Sequence, residues 1–187
     1  MKQLHFPHLF ELVSRWYVFI FLNIYGLGKI MGGQFYRRGE LPEEIALLPI
    51  GQASGFDIAW TFMGYSSLYI FFVGSSQILG ACLLLWERTK LLGVAILVPI
   101  MVNVVVFDII FLEPKGALVN ASLYLLMLLY ILFFNRKRVT QAIKALTTPS
   151  VREPEARKSK LIRVGTVLLI MAVLFVIDQF FVTFVGH

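Results

Sequence analysis

A single cysteine, Cys82, is the whole thiol inventory of this sequence. No intramolecular disulfide can form, and a membrane redox bundle built on a cysteine pair is excluded. Histidine is nearly as scarce. His5 and His8 share helical spacing near one end, and His187 stands at the other. A metal site needs three or four ligands held together, so no metal site is expected. Charge is thin as well: 15% of the 187 residues, where soluble domains average about a quarter. No nucleophile–base pair, nucleotide loop or encoded redox centre stands out, so the chain reads as non-catalytic rather than as an enzyme. The formal net charge of +6 does not imply nucleic acid, because no aromatic residues interleave the cations to present bases.

What the sequence has instead is length without charge. Thr61 to Trp86 is 26 residues with no formal charge, and Leu91 to Leu112 is 22 residues with one, Asp108. A bilayer crossing needs about 20 apolar residues. With 58% hydrophobic residues, the chain is expected to be an all-α integral membrane protein, a four-helix transmembrane bundle plus a fifth C-terminal transmembrane helix. The expected spans are about Leu12–Met31, Thr61–Trp86, Leu91–Leu112, Ala117–Phe134 and Val164–Val185. The N-terminus lacks a basic region followed by a short apolar stretch and a cleavage site, so the first span is expected to remain as an anchor.

The organisation follows from these runs. Residues 1–135 form the bundle, 136–163 a basic linker, and 164–187 the fifth helix. Gly28 and Gly32 make a small-xxx-small pair suited to close helix approach, and Gly74, Ser75, Ser76 and Gly80 offer a second small-residue stretch. Pro99 is expected to kink the third span. The connection 33–60 is too long to be a passive link, and loops of this length commonly carry function. Its segment LPEEIALLPI suggests a short interfacial helix with Pro42 in the first turn and Leu47, Leu48 and Ile50 as apolar contacts. The whole connection is expected to fold as a lid over one end of the bundle.

Residues 135–163 hold nine Lys/Arg against two Glu, which marks the cytoplasmic side. Val139, Ile143 and Leu146 share a helical face, so an amphipathic helix on anionic lipid is expected there, with Pro149 and Pro154 bracketing a flexible segment. Glu87–Lys90 reads as a short cytoplasmic turn, Arg15 as a snorkelling anchor, and Glu113–Gly116 as an external turn. Counting all spans, 13 Lys/Arg fall on the inner side and four on the outer. That asymmetry puts the N-terminus inside and the C-terminus outside.

A few polar residues remain inside the spans. A helical rise of about 1.5 Å per residue puts Gln77 and Asn103 near the midplane, and Lys29, Asp108, Asn120 and Asp178 in the outer half. Two layers are expected: an amide pair of Gln77 with Asn103, and an ionic pair of Lys29 with Asp108. Two readings stand for the ionic layer. It fixes helix register, or it floors a cavity whose ligand meets Lys29, Gln77, Asn103, Asp108 and Asn120, with Phe35, Tyr36 and Trp60 around an apolar ring or tail.

The runs YGLGKIMGGQF, FDIAWTFMGYSSLYIFFVGSSQILG and GALVNASLYLLMLLYIL carry a likeness. Over about residues 12–134 the chain resembles the DoxX-like superfamily of small bacterial membrane proteins, in a branch where an aromatic-Gly-Tyr-Ser segment, here Phe62 to Ser66, leads into the second span. The resemblance implies a four-helix bundle in the bacterial cytoplasmic (inner) membrane. It also implies kinship with small subunits of quinone-linked sulfur oxidation or of membrane oxidoreductase complexes. Many members of that superfamily carry an acid where this chain has Gln77, so proton handling is not expected there. The fifth helix and its linker fall outside the four-helix pattern and could dock a membrane-protein partner. The favoured reading is a non-catalytic membrane subunit or binding component, with the lipid bilayer as its surroundings and a quinone or lipid as its ligand. An electron-transfer subunit of a quinone-linked oxidoreductase and a small transporter stand as alternatives.

Overall fold

The computed structural model describes residues 6–112, 115–148 and 157–185. His5, His187, Glu113, Pro114, Pro149 and Pro154, on which some expectations rested, lie outside these residues. The chain divides into two units, Met1–Ile143 and Lys144–His187. In the first, the described residues form α1 (Phe6–Met31), a one-turn α2 (Glu43–Ala46), a 3-10 turn (Ile50–Gln52), α3 (Gly55–Gly64), α4 (Ser67–Leu83), α5 (Lys90–Phe111) and α6 (Lys115–Phe134). Helix α7 (Arg136–Thr147) crosses the boundary, and α8 (Arg157–Val185) belongs to the second unit.

Four long helices close a ring, α1 on α4, α4 on α5, α5 on α6 and α6 on α1. Val18, Leu22, Leu84, Leu97, Leu128 and Ile131 fill its axis. The surface is inverted relative to a soluble bundle. On α1, Ile20, Ile24 and Leu27 are exposed, while Glu11, Ser14, Arg15 and Lys29 are buried. Such an arrangement loses free energy in water and gains it in hydrocarbon, where outward polar groups are the costly ones. Among the described residues, three helical segments are long and apolar enough to cross a membrane: Lys90–Phe111, Lys115–Phe134 and Ser159–Phe180. A fourth crossing is added if α3 and α4 count as one broken span. The chain is therefore a multi-span membrane protein. Helix α1 is not in that set, because Glu11, Arg15, Asn23 and Lys29 dilute its hydropathy even though the charged three turn inward.

The second span does not run unbroken from Thr61 to Trp86. Helix α3 ends at Gly64, and α4 starts at Ser67 after a bend of 92°. Ser66 leaves the helical region, and its hydroxyl accepts the Tyr69 N–H at 3.3 Å, capping α4. Ser54 caps α3 by accepting the Asp57 N–H. A Cβ at Gly64 would overlap the Tyr36 carbonyl, so the chain can fold back here only on glycine. The interfacial helix is also shorter than expected. Only Glu43–Ala46 is helical, Pro42 precedes it, and Leu47 and Ile50 are exposed. Pro49 disfavours a helical Leu48 and stops it.

Gly28 and Gly32 do not make the close helix approach. A Cβ on Gly28 would meet open space, and Gly32, at φ +96°, ends α1 with the Gly33 N–H bonded to the Gly28 carbonyl at 2.9 Å. The crossing of α1 and α4 instead runs through Gly26 and Gly74, each facing the other's carbonyl. Between α4 and α5, Gly93 faces the Gly80 carbonyl, and Gly80 faces the Leu97 and Ile96 side chains. Helix α5 continues through Pro99 without a break in its helical residues.

Arg15 is not a snorkelling anchor: it is buried and joined to Glu87 and Lys90 in one ionic cluster. Lys90 donates to Glu11 at 2.9 Å and meets Glu87 at 2.9 Å, and Arg15 pairs with Glu87 and, at 3.7 Å, with Glu11. Arg15 also donates to the Leu84 and Leu85 carbonyls, both at 2.6 Å, which α4 leaves free where it ends. Two acids and two bases thus neutralise each other where α1 meets the α4–α5 turn. Glu11, Arg15 and Lys90 are buried there. Hydrogen bonding to Lys90 first, then to Arg15, holds the Glu87 carboxyl below its ordinary 4.5 against the opposing effect of burial. A depressed carboxylate contributes stability above its unfolded value and loses it as pH falls through its folded one. Thermal stability in detergent is expected to fall below pH 4.5, less so in Glu87→Gln. Lys90→Met, which removes the hydrogen bond to the buried Glu11 and leaves it only the 3.7 Å contact of Arg15, is expected to cost about 3–5 kcal/mol.

Candidate ligand-binding site

The opposite end of the bundle, below the 33–60 connection, holds the second set of buried charges. Lys29 and Asp108 are each 6% exposed, and Gln77 is 3% exposed. Helix α1 delivers Lys29 two residues before its end, α4 delivers Gln77, and α5 delivers Asp108 one turn before Leu112. Two cavities meet at this layer. The larger, about 630 Å³, lies along α4 and α5, and the smaller, about 120 Å³, lies among α1, α5 and α6. Lys29, Gln77, Asp108, Trp60 and Gln34 line both.

The pairing differs from the expected layers. Lys29 Nζ donates to Gln77 Oε1 at 3.2 Å, so Gln77 is joined to the cation and not to Asn103. Because α4 starts at Ser67, Gln77 sits nearer the loop end than a span beginning at Thr61 would place it. Lys29 also stands 5.9 Å from the centre of the Tyr25 ring. Lys29 and Asp108 attract each other electrostatically across the cavity but make no direct ion pair among the described residues. The Asp108 backbone carbonyl accepts the Leu112 N–H at 3.1 Å, but its carboxylate receives no hydrogen bond from a described protein group, although the residue is buried. Asn103 lines the larger cavity and its amide likewise has no described protein partner.

The remaining expected residues divide. Phe35 and Trp60 line the larger cavity, with ring centres 5.6 Å apart, and Trp60 stacks on Phe56 at 4.1 Å. Asn120 lines the smaller cavity only. Tyr36 lines neither. It meets Phe56 edge-on, and burial, followed by the charge and hydrogen bond of Asp57, raises its phenol above the ordinary 10.0. Asp178 lies on α8 in the second unit.

Several lining residues escaped the sequence reading. Tyr25 and Tyr124 wall the smaller cavity, and Tyr69, Phe72 and Phe107 wall the larger. Helical spacing was the available signal. Tyr25 is four residues before Lys29; Tyr69 and Val73 are eight and four before Gln77; Phe107 is four after Asn103. Chemically, the layer offers an ammonium, a carboxylate and two amides at the inner end of an aromatic groove. That set can hold a head with both hydrogen-bond acceptors and donors, above a hydrocarbon tail.

Two substitutions separate protein-internal partners from free groups. Gln77→Leu removes the hydrogen-bond partner of Lys29 and is expected to cost about 1–3 kcal/mol. Asp108→Asn is expected to leave the melting temperature in detergent unchanged or raised, because it removes a buried charge that no protein donor satisfies. An equal loss in both would mean that Asp108 is held by the protein.

No family model matches this chain, and no solved structure matches it. Over 115 residues it is 40% identical to the uncharacterized protein YwoB of Bacillus subtilis (strain 168), an alignment that covers 62% of this chain and 70% of YwoB. With that identity over that share of its relative, the chain belongs to the family of YwoB.

Proposed function

We propose that this protein is a non-catalytic component of the bacterial cytoplasmic membrane that holds a quinone or a lipid in its bundle. The observation that carries this reading is Asp108. The residue is buried, its carboxylate lines both cavities and has no described protein donor, and Lys29 lines the same two cavities. An isolated buried carboxylate is costly, and a ligand that donates to it removes that cost. A head that accepts from Lys29 and donates to Asp108 fits both groups. The larger cavity, at about 630 Å³, falls within the roughly 300–1,000 Å³ of ordinary ligand sites.

The ring of α1, α4, α5 and α6 is the arrangement that membership in the DoxX-like superfamily implies, and it supports that assignment. In this reading α1 and the broken α3–α4 pair are spans beside α5, α6 and α8. The N-terminus is inside and the C-terminus outside. Setting aside the buried Arg15, Lys90 and Lys29, eleven Lys/Arg on the inner side against three on the outer support this orientation. Helix α8 and the basic segment before it are the parts assigned to docking a membrane partner.

Purification from native membranes in mild detergent, followed by mass spectrometry, tests the binding reading. A quinone or a lipid is expected at near-stoichiometric amounts, and its identity separates the two sources. Lys29→Met and Asp108→Asn, both folded, are expected to lose it. Wild-type protein that carries no ligand would contradict the proposal.

A further inference from the structure

The larger cavity has an unusual mouth. Its walls are Tyr69, Phe72 and Ser76 on α4 and Ile96, Pro99 and Ile100 on α5. Phe72 and Tyr69 are exposed, as is Phe62 at the end of α3. Helix α5 is one of the membrane-crossing helices, and α4 belongs to the broken span, so an opening between them faces hydrocarbon and not water. The bend at Tyr65–Ser66 contributes to this opening. It swings α3 aside by 92°, so that α4 begins only at Ser67 and α3 covers the groove from the loop end. Asn103 adds an amide without a described protein partner to the groove wall, an awkward group to leave facing only lipid tails.

The smaller cavity opens differently. Leu112, where α5 ends, and Ala117, in the first turn of α6, line it together with Asn120, Tyr25 and Tyr124. It therefore lies toward the helix ends, beside polar groups. At about 120 Å³ it is well below the roughly 300 Å³ at which ligand sites begin, so it admits water and small solutes only.

We infer that the larger cavity is a lateral portal: a hydrocarbon-tailed ligand enters from the bilayer between α4 and α5, seats its head on Lys29, Gln77 and Asp108, and meets water there through the smaller cavity. The inference rests on the ligand-binding reading above and adds the route, the tail and the wet side of the head. The occupant of the groove is the chain of a membrane lipid or of a lipid-like molecule. A water-soluble ligand of similar size has no opening to use, since the smaller cavity is too narrow for it.

Trp60 lines both cavities and serves as the reporter. With Trp16→Phe and Trp86→Phe it is the single tryptophan of the full chain. The protein is placed in vesicles of phosphatidylcholine brominated on its acyl chains, and acrylamide is added as the aqueous quencher. Brominated chains are expected to quench Trp60. Ser76→Phe, or independently Ile100→Phe, is expected to remove most of that quenching and leave acrylamide quenching unchanged. Ala117→Phe is expected to do the reverse. The portal is overturned if brominated chains do not quench Trp60, or if neither groove substitution reduces the quenching. Mass spectrometry on the same preparations keeps the two readings apart. A retained ligand without bromine quenching removes the portal and leaves the binding reading, whereas portal-dependent quenching with no retained ligand removes the binding reading and leaves the portal.

Discussion

A charge placed in hydrocarbon has to be matched by another group, and this chain solves that problem twice in different ways. At the α4–α5 turn, Glu11, Arg15, Glu87 and Lys90 neutralise one another, and Arg15 also satisfies two helix-end carbonyls. Few of those hydrogen-bonding positions are left over. At the loop end, Lys29 has Gln77 and the face of Tyr25, while Asp108 has only an electrostatic partner across a cavity. The first cluster is a fastening between α1 and the hairpin of α4 and α5. The second is an incomplete polar layer, and its incompleteness is what recommends it as a binding site.

The backbone makes room for that layer. Gly26 against Gly74, and Gly80 against Gly93, bring α4 close to both of its neighbours along its length. At the loop end the chain then turns sharply, because Gly64 lies on the Tyr36 backbone and Ser66 starts a new helix. Close packing below and a bend above leave the space in which Trp60, Phe35 and the polar layer meet. The same glycines are therefore part of the site's geometry although none of them touches a cavity wall.

Much of this was legible beforehand. Long uncharged runs identify α5 and α6 almost to the residue, since hydrocarbon length sets their extent. Lys29, Gln77, Asn103 and Asp108 were recognisable because polar groups inside such runs are rare. The bend was not, because Thr61 to Trp86 has no charge or proline to mark it, and a Gly-Tyr-Ser segment reads equally well inside a helix. Pairing was also hidden. Depth along each helix says which groups share a level but not which way they face, so Gln77 was matched with Asn103 when Lys29 reaches it. The buried cluster had its signal in Glu11 and Arg15, four apart on one helix, but a cation at the start of a span is ordinarily read as facing the headgroups.

The central claim is that hydrocarbon is the solvent of this bundle, with apolar side chains outward and charges inward. Cysteine accessibility tests it directly. In a Cys82→Ser background, single cysteines are placed at Ile24, Ile109 and Leu126, all exposed on the bundle surface, and at Arg88 in the turn. Open membrane fragments are treated with a membrane-impermeant maleimide. The account predicts rapid modification at position 88 and none at 24, 109 or 126 until the membrane is dissolved. Modification at those three positions as fast as at 88 would contradict it.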